Sequence, residues 1–179
     1  VRVDAAASAI GELGELITSG QRLGPATVEA VAHAVERNAP LAQTLGAVVH
    51  LTCAGTAPGE IQHGFGERLI VGEPSGNVSE RVERVAEALE SAGFQAERSE
   101  NIRRDIWFKL WGNMTMNPVS ALTGAACDAI LDDELVRAFM ARGMAEAAAI
   151  GARIGCPIEQ TPDARMAVTR QLGAFKTSM

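Results

Sequence analysis

The segment Asp105-Ile-Trp-Phe-Lys-Leu-Trp-Gly-Asn-Met-Thr-Met-Asn-Pro118 constrains this chain more than any other. It reads as a helix on which Ile106, Trp107, Phe108, Leu110, Trp111, Met114 and Met116 point in nearly every direction. A helix that is apolar all round belongs in a buried place. Yet Lys109, Asn113 and Asn117 recur at spacings of four, which puts them on one polar stripe. A lysine in such surroundings loses water, and its pKa moves toward values useful for proton transfer. Each asparagine offers a donor and an acceptor, and when buried it needs a partner or a wet cleft. Two readings stay open on the stripe alone. It is a site for a small polar ligand, or Lys109 snorkels to solvent while the asparagines brace neighbouring helices.

A length of 179 residues suits one domain, or one domain plus a fragment. Hydrophobic residues make up 47% and charged residues 21%, so the chain should fold around a real core. Tyrosine is absent and aromatics are scarce, so bulk comes from aliphatic residues and Met, which suits helix packing. A net charge of -6 without a Lys/Arg block argues against nucleic acid as the partner. Cys53, Cys127 and Cys156 are far apart and show no metal spacing; they read as reduced, buried thiols of a cytoplasmic protein. No apolar run approaches the ~20 residues a membrane span needs. The opening Val1-Arg2-Val3-Asp4 has neither an initiating Met nor a signal-peptide pattern, and the chain reads as trimmed or rearranged.

Along the chain, helices are expected over residues 3–17 and from Pro25 to Asn38. The texture then changes. Ala47 to Cys53 is β-prone, Gly55 to Gly59 is a turn region, and Glu60 to Glu73 reads as one or two strands. Ser79 to Ala92 is a helix, and Phe94 to Glu97 fits a further strand. From Ile102 onward the pattern is helical: Arg103 to Met116 stopped near Pro118, Ser120 to Ile130, Asp133 to Ile154, and Thr161 to Leu172.

Other candidate residues are weaker. His33, His50 and His63 have no carboxylate or Cys at metal spacing, so no metal site is expected. Gly64-Phe65-Gly66 lacks the third glycine and the following helix of a phosphate loop, and fits a glycine-rich hairpin. Asp132-Asp133-Glu134 fits a helix cap. Arg103-Arg104 fits a solvated pair within reach of a phosphate.

The run from Ile106 through Lys109, Asn113, Asn117 and Pro118 to Gly124 closely resembles the signature helix of the ketopantoate reductases, NADPH-dependent 2-dehydropantoate 2-reductases. Gly173-Ala-Phe-Lys-Thr-Ser-Met179 resembles a second motif of that family. His50 to Ala54 and the stretch from His63 to Pro74 resemble the end of its nucleotide-binding domain. Residues 1–46 resemble the family's final helices, placed first here, so the order reads as permuted or truncated.

The resemblance implies a mainly α fold: a helical domain like that of 6-phosphogluconate dehydrogenase over 102–179, with a small α/β remnant of a Rossmann-type domain over 47–101. It implies reduction of ketopantoate or a related 2-keto acid in pantothenate synthesis, with Lys109 as proton donor and with Asn113, Asn117 and Ser178 holding substrate. It implies NADPH as cofactor and a homodimer. Arg2 stands where the family has a Glu, which puts strict ketopantoate specificity in doubt. The G-x-G-x-x-G turn that would hold the dinucleotide is missing. Two rivals therefore remain: a catalytically incomplete substrate or dimerisation fragment of such a reductase, and a structural helical adaptor.

Overall fold

The computed structural model describes residues 44–177, and all the elements below belong to one compact unit, Gly46–Met179. The expectations for residues 1–43, including the two leading helices, His33 and Arg2, lie outside the described residues, as does Ser178.

The β-prone segments form a long hairpin. Strand β1 (Gly46–Ala57) pairs antiparallel with β2 (Glu60–Gly72). Pro58 and Gly59 turn between them; the φ of +82° at Gly59 is one a side chain resists. The expected turn region is thus mostly strand, because the turn needs only those two residues. Glycine at 66 has a φ of +80°, and a Cβ there would run into the His50 carbonyl. The register slips beside it, between His50 and Thr52, as a β-bulge does. Helix α1 (Glu80–Ser91) follows, with the Ser79 hydroxyl accepting from the Val82 amide. It crosses over to β3 (Gln95–Ser99), which pairs parallel to β2, so the sheet order is β1-β2-β3.

Helix α2 (Ile102–Thr123) begins at the cap Asn101 and ends at Gly124, whose left-handed φ of 68° closes the last turn. It runs through Pro118 instead of stopping there. Proline removes one backbone donor and crowds the carbonyl of Met114, a cost of about 3 kcal/mol in a helix interior. Burial of Met116 and Ser120 on either side of it, and the bond from the Ser120 hydroxyl to the Ala125 carbonyl, offset that cost. The expected break therefore falls at Gly124. After it come α3 (Cys127–Asp132), α4 (Glu134–Arg153) and α5 (Pro162–Arg170). Asp133 caps α4 by accepting from the Leu135 and Val136 amides, and Thr161 caps α5.

Trp111, Met116, Cys127, Ile130, Leu131, Met140, Met144, Ala147 and Met166 form the helical core. Trp111 is fully buried, and its indole N–H donates to the Met144 carbonyl at 2.7 Å. A smaller core joins Val48, Ile70 and Ile102. There Gly46 and Gly72 face each other across the hairpin base. A Cβ on Gly46 would lie 2.6 Å from Ile102, and one on Gly72 would lie 2.9 Å from it. The first turn of α2 nests on those two bare backbones. Helix α2 is not buried all round, contrary to expectation: among the described residues Leu110 is 47% exposed, with Ile106 and Met114 close behind. One face of the helix is enough to meet α4, so the opposite apolar stripe stays outside.

Candidate functional site

The stripe predicted on α2 opens into a cavity of about 680 Å³. Lys109, Asn113 and Asn117 all line it, with Gly112 and Met116 from the same helix. Leu51, Thr52, Cys53, Gln62 and Gly64 of the hairpin form another wall. Arg165 and Thr169 come from α5, and Phe175, Lys176 and Thr177 from the segment after it. That segment is tied down by backbone bonds: the Cys127 amide donates to the Phe175 carbonyl at 2.9 Å and the Asp128 amide to the Gly173 carbonyl at 3.3 Å.

The cavity wall is cationic. Lys109, Arg165 and Lys176 line it, and among the described residues no Asp or Glu does. Burial lowers the pKa of Lys109, and the nearby charge of Arg165 lowers it further. Burial also lowers that of Arg165. His50, on β1 beside the cavity, is held neutral to lower pH by burial and then by Lys109 and the neighbouring arginines. Such a wall suits an anion, and a lysine with a weakened hold on its proton suits a proton donor. A second cavity of about 690 Å³ is lined by Glu97, Glu100, Asp105 and Glu159 together with Arg98 and Arg104, a mixed wall with no comparable excess of cations.

Arg165 escaped the sequence reading. It sits on a short amphipathic helix among other charges, and its place at the stripe depends on a contact between helices. The only local signal was Gly112, a poor helix former in the middle of α2. Cys53 and Cys127 both line the cavity; Cys53 is exposed, contrary to expectation, because it lies on the thinly packed hairpin, whereas Cys127 and Cys156 are buried as expected. Burial raises the Cys127 thiol, which keeps it protonated. No group of metal-ligating residues occurs among the described residues.

The described residues offer no cradle for a dinucleotide pyrophosphate. Gly64 and Gly66 lie inside β2, not before a helix. The α1 N-terminus beside the sheet is closed by Ser79 and by the Glu73 carboxylate, 2.5 Å from the Ser79 hydroxyl. The α2 N-terminus is closed by Asn101 and Asp105. The first-turn amides there are thus partly taken up by the chain's own side chains. Nor, among the described residues, is any helix long and apolar enough to cross a membrane.

Fold and cavity together define a helical domain with a small sheet and a cation-lined cavity. Residues 101–179 match the family model for the ketopantoate reductase PanE/ApbA C terminal. The chain belongs to the ketopantoate reductase family. It is 44% identical over 137 residues to a 2-dehydropantoate 2-reductase of Mesorhizobium japonicum, covering 76% of this chain and 42% of that protein. A protein of Ralstonia solanacearum MolK2, provisionally classed as a ketopantoate reductase, is 63% identical; the match covers 89% of this chain and 49% of that one, with a TM-score of 0.82. The 2-dehydropantoate 2-reductase of Methylococcus capsulatus is 36% identical over 75% of this chain and 44% of that one, with a TM-score of 0.66. The chain thus spans about half the length of these relatives.

Proposed function

We propose that this chain supplies the substrate-holding and proton-donating part of an NADPH-dependent reductase that converts ketopantoate, or a related 2-keto acid, to the 2-hydroxy acid. In this reading residues 102–179 are a substrate domain of the 6-phosphogluconate-dehydrogenase type. Residues 47–101 are the closing part of a Rossmann-type nucleotide domain, and residues 1–46 correspond in sequence to the family's C-terminal end. The protein is cytoplasmic and pairs as a homodimer.

The observation that carries the proposal is the convergence of Lys109, Asn113 and Asn117 on one cavity whose wall, among the described residues, has cations and no carboxylates. Lys109 donates a proton from Nζ to the oxygen of the keto group as it becomes an alkoxide. Its lowered pKa eases that transfer. Asn113 and Asn117, one turn apart along α2, hold the polar groups of the substrate with both donors and acceptors. The motif assigns Ser178, which follows Thr177 in the sequence, a further hydroxyl contact. The described residues do not fit a dinucleotide, so no step is assigned to them through NADPH.

Replacing Lys109 with Ala lowers turnover about 10²–10⁴-fold, the range general-acid catalysis commonly contributes. In the parent activity, turnover falls as pH rises through the lowered pKa of Lys109, because only the protonated amine donates. Steady-state rates across pH check both. Unchanged turnover in the alanine variant ends the proposal.

The absent cradle favours a second reading, in which the chain is a catalytically incomplete substrate or dimerisation piece of such a reductase. NADPH fluorescence separates the two. Tight binding by the 179-residue chain alone rules the second reading out.

A further inference from the structure

The position of Arg165 has a chemical meaning that the α2 stripe does not cover. We propose that Arg165 is the carboxylate-holding residue of the cavity, seated by Gly112 and Phe108, and that it makes the site select an anionic 2-keto acid over a neutral carbonyl compound. This rests on the keto-acid reading above.

The seat is built. A Cβ at position 112 would lie 2.5 Å from Arg165 Nε, 2.7 Å from Nη2 and 3.0 Å from Cζ. Only glycine lets the guanidinium come that close to the backbone of α2. Glycine weakens a helix interior, and the contact gives position 112 a reason to carry it. Phe108, one turn earlier, presents its ring 5.9 Å from Arg165 Cζ. The guanidinium is thereby fixed against the helix that carries Lys109 and Asn113.

The seat leaves the charge unanswered. Arg165 Nε is buried and has no hydrogen-bond partner among the described residues. Further along the same helix, Arg170 is satisfied by Asp132 at 2.6 Å and by the Leu131 carbonyl at 2.8 Å. Arg68, Arg81, Arg98, Arg104 and Arg137 likewise face carboxylates. Arg165 faces a cavity without one among the described residues. A desolvated guanidinium aimed into such a space is complementary to a planar anion, and its fork matches both oxygens of a carboxylate.

The chemistry of a 2-keto acid fits two cations in one wall. Its carboxylate and its keto oxygen sit on adjacent carbons. Arg165 takes the first, which leaves Lys109 for the second. Lys176 adds to the field that draws the anion in.

Calorimetric titration of the full 179-residue chain with ketopantoate and with its uncharged methyl ester tests this. The wild-type chain should prefer the acid by at least ~25-fold, the scale of a desolvated charge contact. Arg165→Gln should remove that preference by weakening acid binding and leaving ester binding alone. Arg165→Lys, which keeps the charge and loses the fork, should fall between. Gly112→Ala, which displaces the guanidinium without altering it, should shift in the same direction as the glutamine variant. If Arg165→Gln does not melt cooperatively, the lysine and alanine variants decide. Wild-type binding without preference for the acid overturns the proposal, as does an Arg165 variant that keeps the preference or weakens acid and ester equally. An acid preference that Arg165→Gln removes, found together with unchanged turnover in Lys109→Ala, would instead sink the reductase reading and leave Arg165 in its role.

Discussion

In the helical part of the chain, Trp111, Met140, Met144, Leu131 and Ile130 pack into one continuous cluster fed by four helices. In the sheet part, Val48 and Ile70 bury themselves largely by leaning on Ile102, which belongs to α2. Among the described residues the far half of the hairpin buries little: Phe65 is 71% exposed and Ile61 76%. The cavity lies where these two kinds of structure meet. Its charged side chains come from the well-packed helices and the segment tied to α3, while the hairpin contributes small and neutral residues such as Thr52, Ala54 and Gly64. Groups whose position must be held are on the part with a deep core. The wall that merely encloses is on the part without one.

The contrast can be broken most forcefully at Trp111. Trp111→Ala should cost about 3–5 kcal/mol, since it empties a fully buried site and strips the Met144 carbonyl of its donor. Denaturant melts check this, and a loss under 1 kcal/mol would mean the helical core is no deeper than the sheet's. Ile70→Val, in the thin core, should cost only about 0.5–1.5 kcal/mol. A larger loss there would erase the distinction.

The smallest effect is one of pH. Hydrogen bonds from Arg81 and then from Ser79 lower the pKa of Glu73 to about 2, from an ordinary 4.5. A depressed carboxylate lends stability above its unfolded pKa and loses it as pH falls through the folded one. The junction of β2 and α1 should therefore weaken between about pH 4.5 and 2. Thermal melts of wild type and Glu73→Gln should converge across that window. Parallel curves would remove Glu73 from the account.

Much of the fold was legible because local rules agree with the tertiary outcome. Ser79, Asp133 and Thr161 cap the helices where a side-chain oxygen is best placed to do so. The Lys109, Asn113 and Asn117 stripe was legible because a spacing of four needs no knowledge of neighbours. Pro118 misled, since the rule for proline is local and the burial that overrides it is not. Arg165 was invisible for the same reason: its meaning depends on a hydrogen atom at Gly112, in another helix.

The paired glycines at the hairpin base carry a related lesson. Gly46 and Gly72 let Ile102 rest directly on the backbone of both strands. The hairpin and α2 then diverge from that contact to enclose the cavity between Thr52 and Lys109. The gap available to a ligand is thus gauged at the opposite end of the hairpin. A single methyl group added at either glycine would act as a shim, respacing the two walls without touching any residue that meets the ligand.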